Sequence, residues 1–295
     1  MLGKHLNESS VINEQRKKSK GEIEMKKKLL SIVTTICLGI LLVACGGQSG
    51  DTDKVIKLGI NGEVNQIWKS VQSRLADEGI DLQFVTFSDY NLPNQALADG
   101  EIDANSFQTI AFFEQFINDH NLDLTSIGYT VLAPMGIYSS KISDLNELPD
   151  DSTVLIPNDA SNGGRALLLL QDAGLIKLAD EVGITPTVKD IVENPKNLEV
   201  VELVAQQLPL SLADAEIAVI NNGVAVQANL SPLNDSIYIE NTESESVVNY
   251  YNIIAARTED KDNPTLKRLV EVYQTEETKK AIEEEYKGAS IPVFE

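Results

Sequence analysis

The stretch Ile156-Pro157-Asn158-Asp159-Ala160-Ser161-Asn162-Gly163-Gly164-Arg165 runs straight into Ala166 and the leucine ladder Leu167 to Leu170. It constrains the fold more than any other ten residues. Val154, Leu155 and Ile156 are a short apolar run suited to a buried strand, Pro157 stops it, and Asn158 to Gly164 supplies cap and turn chemistry. A helix is predicted to begin near Arg165. A strand that delivers its end to a helix N-terminus gathers free backbone N–H groups and a positive dipole end, which together bind anions. A cation in the first helical turn opposes that dipole, so Arg165 there implies a negative group beside it, such as a ligand carboxylate. The same residues also read as a solvated arginine after a simple turn.

Strands and helices alternate along the rest of the chain. Val55 to Ile60 is an apolar strand, and Val64, Ile67, Val71 and Leu75 mark the apolar face of a helix that stops at Gly79. A second strand, Leu82 to Phe87, leads through Ser88-Asp89-Tyr90-Asn91-Leu92-Pro93 into a helix ending at Gly100, and an aromatic helix follows over Ile110 to Ile117. This spacing predicts an α/β protein with parallel sheets. Val131 to Tyr138 is extended enough to cross into a second lobe, and Tyr251 to Ala256 reads as the return crossing. Helices at Pro264 to Tyr273 and Glu276 to Tyr286 then pack back on the first lobe. Lobe 1 is expected over 55–136 and 247–295, and lobe 2 over 137–246. In lobe 2, strands are expected at Leu198 to Leu203, Ile217 to Ile220 and Ile237 to Glu240. A faint repeat, Leu97 to Ile102 leading to Asn105 and Leu212 to Ile217 leading to Asn221, suggests a helix running into a short strand in each lobe. If so, both sets of strand ends face one cleft, where open α/β sheets bind ligands, and two crossings let that cleft close.

Charge and residue counts remove several function classes. The formal net charge is -21, and residues 1–44 hold eight of the 24 basic and four of the 45 acidic residues, so the remainder carries -25. That balance repels phosphate backbones and excludes nucleic acid as a partner. The two cysteines, Cys37 and Cys45, lie in one apolar segment, and the only histidines are His5 and His120, the latter expected in a solvated loop. Neither a metal site nor Ser-His-Asp chemistry has the residues it needs, and no cofactor motif is present.

Met25-Lys26-Lys27-Lys28 precedes an apolar run from Leu29 to Ala44, too short for a comfortable membrane span. Leu42-Val43-Ala44-Cys45-Gly46 resembles a bacterial lipobox, in which small residues admit a signal peptidase and the cysteine thiol takes a diacylglyceryl group. Residues 25–44 are therefore expected to be a lipoprotein signal peptide, Cys45 the lipidation site, and 45–54, rich in Gly, Ser, Asp and Thr, a flexible tether. An uncleaved N-terminal anchor is the other reading. Residues 1–24 are polar and push the basic region away from the terminus, so translation is expected to start at Met25.

Five segments carry a family resemblance in matching order from Val55 to the C-terminus. They are Phe87 to Asn94, Asp103 to Gln108, Ile156 to Leu170, Glu193-Asn194-Pro195-Lys196 and Ala218-Val219-Ile220-Asn221-Asn222. The chain resembles the NlpA/MetQ methionine-binding lipoproteins, substrate-binding components of ABC importers. The resemblance implies a two-lobed type 2 periplasmic-binding-protein fold with the ligand cleft between the lobes. It places ligand contacts at Tyr90, Phe107, Thr109, Asn162, Arg165, Asn221 and Asn252. Arg165 would take a carboxylate with a bidentate fork, Asn221 and Asn252 would offer amide oxygens to an α-ammonium group with Asn162 in support, and Tyr90 and Phe107 would bracket a thioether. Taken singly, Tyr90 and Phe107 also read as core aromatics and Asn221 as a turn residue. One position departs from the family pattern: Thr109 stands where relatives usually carry histidine, which replaces a ring by a small hydroxyl and frees space beside the ligand.

The implied function is capture of L-methionine, or a close derivative, by a monomeric receptor anchored by lipid on the extracytoplasmic face of the cell membrane. The receptor would deliver its cargo to a permease driven by a cytoplasmic ATPase, with no chemistry on the substrate. A receptor for small methionine-containing dipeptides and a surface lipoprotein for adhesion or sensing are the alternatives. An enzyme is disfavoured because no carboxylate pair falls among the matched cleft residues.

Overall fold

The computed structural model describes residues 54–295. The predicted upstream extension, signal peptide, Cys45 and the tether up to Asp53 lie outside the described residues. From Lys54 the chain forms β1 (Lys54–Asn61), α1 (Gln66–Ala76), β2 (Ile80–Phe87), α2 (Leu92–Ala98), β3 (Ala104–Asn105), α3 (Ile110–His120) and β4 (Leu124–Leu132). Helix α1 begins where the Asn65 side chain accepts the Trp68 N–H at 3.0 Å, and it buries Ile67, Trp68, Val71 and Leu75. That spacing makes one apolar face, which packs on β1 and β2. Helix α3 is capped by Thr109 and terminates at Asn121 in the left-handed region, φ 53°. His120 is thus the last residue of a helix rather than part of a loop. It is exposed and lies against the Phe116 ring at 4.3 Å.

The chain leaves the first sheet at Ala133–Met135 and continues through β5 (Gly136–Tyr138), β6 (Thr153–Pro157), α4 (Ala160–Asp172), β7 (Lys177–Leu178), β8 (Ile191–Glu193), β9 (Glu199–Leu203), β10 (Ile217–Ile220), α5 (Asn222–Gln227) and β11 (Ser236–Ile239). It returns through a 3-10 turn, Glu245–Tyr250, into β12 (Tyr251–Arg257), α6 (Pro264–Tyr273), α7 (Glu276–Tyr286) and β13 (Ile291–Pro292). The strands make one six-stranded sheet, β13-β4-β12-β3-β1-β2, one five-stranded sheet, β11-β5-β10-β6-β9, and a β7-β8 pair. Each large sheet has its own core. Ile56, Leu58, Leu75, Leu82 and Ile254 anchor the first, and Ile137, Val154, Ile156, Leu167, Leu170 and Val219 the second.

Four further sequence expectations need correction. The sheets are mixed rather than parallel: β1, β2 and β3 run parallel, but β12 enters antiparallel between β3 and β4, and β5 lies antiparallel to β10. Tyr251 to Ala256 is an internal strand of the first sheet, and the return crossing precedes it. Leu212 and Ala213 lie in turns, so only the strand halves of the suggested repeat correspond. Helix α4 begins at Ala160, because the Asp159 carboxylate accepts the Asn162 N–H at 2.8 Å and caps it there. Gly163 and Gly164 are therefore helical, and the reason for glycine is space. A Cβ on Gly163 would sit 2.7 Å from the Pro157 carbonyl oxygen, and one on Gly164 would sit 2.7 Å from Thr185 Cα.

Candidate functional site

The loops that follow β2, β3 and β10, the first turns of α4 and the start of β12 enclose a cavity of about 140 Å³. Tyr90, Phe107, Thr109, Asn162, Arg165, Asn221 and Asn252 all line it. It lies beyond the carboxyl ends of β2, β3 and β10, where strand ends leave room for side chains from both sheets. A second cavity, about 180 Å³, shares Tyr90, Phe107, Val131, Gly223, Asn252 and Tyr286 with the first and adds Glu63 and Glu285.

One wall is aromatic. Tyr90 and Phe107 stack at 5.8 Å between centroids, and Phe112 meets each of them edge-on at 5.9 Å. Three rings in mutual contact make a rigid apolar surface suited to a polarisable chain. Burial raises the Tyr90 hydroxyl above its ordinary value, the nearby Asp159 carboxylate pushes it further, and Arg165 opposes both. The phenol is held neutral beside these two charges.

Behind this wall Asn94, Asn105 and Gln108 form a buried amide network. Asn94 donates to Gln108 Oε1 at 2.7 Å, Asn105 donates to Asn94 Oδ1 at 2.9 Å, and Gln108 donates to Asn94 Oδ1 at 2.7 Å and to Asn105 Oδ1 at 2.9 Å. With each of these amides partnered, the network fixes the segment that presents Phe107 and Thr109. The Gln108 carbonyl also accepts the Ile253 N–H at 3.0 Å, which ties the segment to β12, and Thr109 bridges to Asn252. The Thr109 hydroxyl oxygen accepts the Phe112 N–H at 3.2 Å. One of its two acceptor lone pairs thus serves the helix cap, and its O–H and second lone pair are left for the cavity.

The polar wall is an ordered relay. Asn162 Nδ2 donates to both Asp159 oxygens at 3.0 Å, and Asn221 Nδ2 donates to Asn162 Oδ1 at 2.7 Å. Asn221 Oδ1 is buried and has no partner in the protein. Asn252 Nδ2 donates one of its two hydrogens to the Val131 carbonyl at 3.2 Å, which orients that amide. Burial raises the Asp159 carboxyl above its ordinary value, and the hydrogen bonds from Asn162 pull the other way.

Arg165 departs from expectation. Its Nε donates to Glu240 Oε1 at 2.8 Å, its Nη2 donates to Glu240 Oε2 and to the Ala133 carbonyl at 3.1 Å, and its guanidinium carbon lies 4.1 Å from the centre of the Tyr250 ring. The edge expected to grip a ligand carboxylate is thus occupied by a carboxylate of the protein, which leaves Nη1 for the cavity. The negative partner inferred from the sequence exists, and it is Glu240. The physical reason is the helix start. With α4 capped at Asp159, Arg165 lies beyond the first turn, and its counter-charge comes from the end of β11 rather than from the dipole end.

Sequence reasoning assigned no role to Gln108, Phe112, Asn222, Glu240, Tyr250, Tyr286 or Ser290. Gln108 and Asn222 lie in motifs that carry the family resemblance and Phe112 lies in the aromatic helix, which are the available signals. Asn222 donates to the Ala289 carbonyl at 2.7 Å and accepts from Ser290 Oγ at 3.3 Å, so it joins the end of β10 to the segment before β13. Nothing in the local sequence marks that pairing. Among the described residues no three His, Cys, Asp or Glu side chains gather as a metal-ligand set.

A family model described as NlpA lipoprotein matches residues 56–294. The chain is 44% identical over 270 residues to the D-methionine-binding lipoprotein MetQ of Escherichia coli K12, covering 90% of this chain and 98% of that one. Among solved structures it resembles protein PG110 from Staphylococcus aureus, with 45% identity and a TM-score of 0.79 over 81% of this chain and 94% of that one. It also resembles a nutrient-binding protein from Burkholderia cenocepacia bound to methionine, with 41% identity and a TM-score of 0.77 over 81% of this chain and 100% of that one. The order of motifs, the two-sheet architecture and these likenesses agree: the chain belongs to the NlpA lipoprotein family.

Proposed function

We propose that this protein is the substrate-binding component of an ABC importer, and that it holds methionine or a close derivative in the 140 Å³ cavity. The observation that carries this reading is the placement of three complementary surfaces on one cavity. Asn221 Oδ1 is a buried acceptor without a partner, Arg165 Nη1 is the free end of a cation, and Tyr90, Phe107 and Phe112 are an apolar wall. An α-ammonium group, a carboxylate and a thioether chain meet these three in turn. The names of the relatives support the same ligand class. Lipidation of Cys45, a tether to the membrane surface, lobe 1 at 55–136 and 247–295 with lobe 2 at 137–246, a monomeric state, and delivery to a permease and its ATPase belong to this proposal, as does the absence of chemistry on the substrate.

Titration calorimetry on the chain from Asp51 onward tests it, with L-methionine, D-methionine, glycyl-methionine and leucine as ligands. Micromolar or tighter binding of a methionine, about −8 kcal/mol or better, is expected, and binding of leucine alone or of none of the four rejects the reading. A methionine-containing dipeptide is the second reading. The adjoining 180 Å³ cavity favours it, because Glu63 and Glu285 offer carboxylates to the dipeptide's single ammonium group, which lies one residue further from the carboxylate than in methionine. Preference for glycyl-methionine over both methionine enantiomers would select it.

A further inference from the structure

The Arg165–Glu240 pair is among the most deeply buried ion pairs in the described structure, with the two side chains 4% and 12% exposed. Glu240 follows β11, and it is held in place from two directions. Its N–H donates to the Met135 carbonyl at 2.9 Å, and its Oε2 accepts the Met135 N–H at 3.1 Å. Arg165 meets this fixed carboxylate side-on. Of its five N–H donors, Nε and one on Nη2 go to Glu240, and the other on Nη2 goes to Ala133. Tyr250 covers one face of the guanidinium. Nη1 is therefore the one guanidinium nitrogen without a protein partner among these contacts, on a residue that lines the cavity at a fixed orientation.

Charge follows from the same geometry. A free guanidinium would draw any carboxylate into the cavity, whereas a paired one offers directed donors with its net charge cancelled. Asp159 stands behind Asn162 as a further acidic group, and Asn221, whose Oδ1 is buried without a partner in the protein, lines the cavity. A ligand with an ammonium and a carboxylate group is neutral overall and matches this wall. A ligand with the carboxylate alone brings an uncompensated negative charge and leaves Asn221 Oδ1 unpartnered.

We propose that Glu240 is a specificity-determining residue: by holding the Nε–Nη2 edge of Arg165 it confines the ligand carboxylate to an end-on contact with Nη1 and makes the site selective for zwitterions over anions. This rests on the methionine reading of the cavity, and it names a residue outside the ligand's contact surface that sets which charge state enters.

The test compares L-methionine with 4-(methylthio)butanoate, the same chain without its ammonium group, by calorimetry on the wild-type protein and Glu240→Gln. Glutamine keeps an acceptor for Arg165 and removes the charge. The wild type is expected to bind L-methionine and discriminate against the anion, and the discrimination ratio is expected to fall about tenfold or more in the variant. A residue that merely braces the fold would weaken both ligands alike, so an unchanged ratio overturns the proposal. Failure of the wild type to bind L-methionine overturns the methionine reading first, before the variant is considered. Should Glu240→Gln not fold, the wild type supplies the second measurement: the 15N-detected Nε–H signal of Arg165, assigned with Arg165→Lys. Persistence of that signal on saturation with L-methionine supports a Glu240-held edge. Its displacement means that the ligand has taken the edge from Glu240, and the proposal falls.

Discussion

Asn221 donates through Nδ2 to Oδ1 of Asn162 across 2.7 Å while its own Oδ1 stays buried without a partner. The direction of that bond is imposed from Asp159. An ionised carboxylate only accepts, so Asn162 must turn its amide nitrogen toward Asp159 and its oxygen toward Asn221. Asn221 must then give its nitrogen to Asn162 and its oxygen to the cavity. Two neighbouring side chains, Asp159 and Asn162, thus fix the polarity of an atom on Asn221, 59 positions from Asn162.

Asn221→Ala is expected to weaken ligand binding by about 1.5–3 kcal/mol, the worth of a hydrogen bond to a charged group. Stability without ligand should fall by about 1–3 kcal/mol, because the buried Asn162 Oδ1 loses the donor that Asn221 Nδ2 supplies. Calorimetry paired with thermal unfolding of ligand-free protein reads both quantities; intact binding with unchanged stability would contradict the relay.

Asp159 titrates against the usual trend for aspartate. Burial holds its folded value above the ordinary 3.8, so the folded protein keeps the proton to higher pH than the unfolded chain does. Its stabilising contribution is complete below the unfolded value and is lost as pH rises through the folded value. Asp159→Asn keeps an N-cap residue and removes that loss, so the variant should gain on the wild type from acid toward neutral pH. Urea unfolding across this range checks the sign, and a difference that is flat with pH counts against it.

Arg165→Ala strands Glu240 in a site where its side chain is 12% exposed. Removing one partner of such a pair typically costs about 3–5 kcal/mol of stability. Adding Glu240→Gln to Arg165→Ala should recover part of that loss, a non-additivity measurable by denaturant unfolding of the two single variants and the double.

Gly163→Ala should destabilise although alanine is the better helix former. The gain in helix propensity is about 1 kcal/mol, and the overpacking against the Pro157 carbonyl costs about 1–3 kcal/mol. Gly223 in α5 is the contrast, since nothing lies within 4 Å of a Cβ built there. Gly223→Ala should be neutral or stabilising, and unfolding midpoints that ranked the two variants the other way would refute the packing argument.

Asn222→Ala removes the two hydrogen bonds that join the end of β10 to Ala289 and Ser290. Faster ligand release with a nearly unchanged association rate is expected in stopped-flow experiments, with Trp68 as the fluorophore.

Much of the fold was legible because it rests on local signals. The sequence places helices at Pro264 to Tyr273 and Glu276 to Tyr286 and a strand at Ile217 to Ile220, and the structure has the same bounds. Asn263 and Thr275 cap those helices, and a run of four apolar residues marks the strand. The start of α4 is not legible in the sequence because glycine is as characteristic of turns as of tight helix packing. The carbonyl of Pro157 and the backbone of Thr185, which decide between them, approach only in the folded chain.

By itself the sequence determined the alternation of strands and helices and the order of the motifs, while the seven residues that line one cavity came from the family resemblance those motifs carry. Periodicity, capping and turn chemistry act over a few residues, so they survive in a linear reading. Only the tertiary structure decided how those residues are engaged. Glu240 lies 75 positions from Arg165 and 105 from Met135, and no pattern of spacing announces that the three will meet. Charges pair with whatever the fold brings within a few ångströms, and in a buried site the pairing decides which donors remain for a ligand. The antiparallel entry of β12 between β3 and β4 has the same origin, since strand partners are chosen by the return path of the chain rather than by the residues of the strand alone.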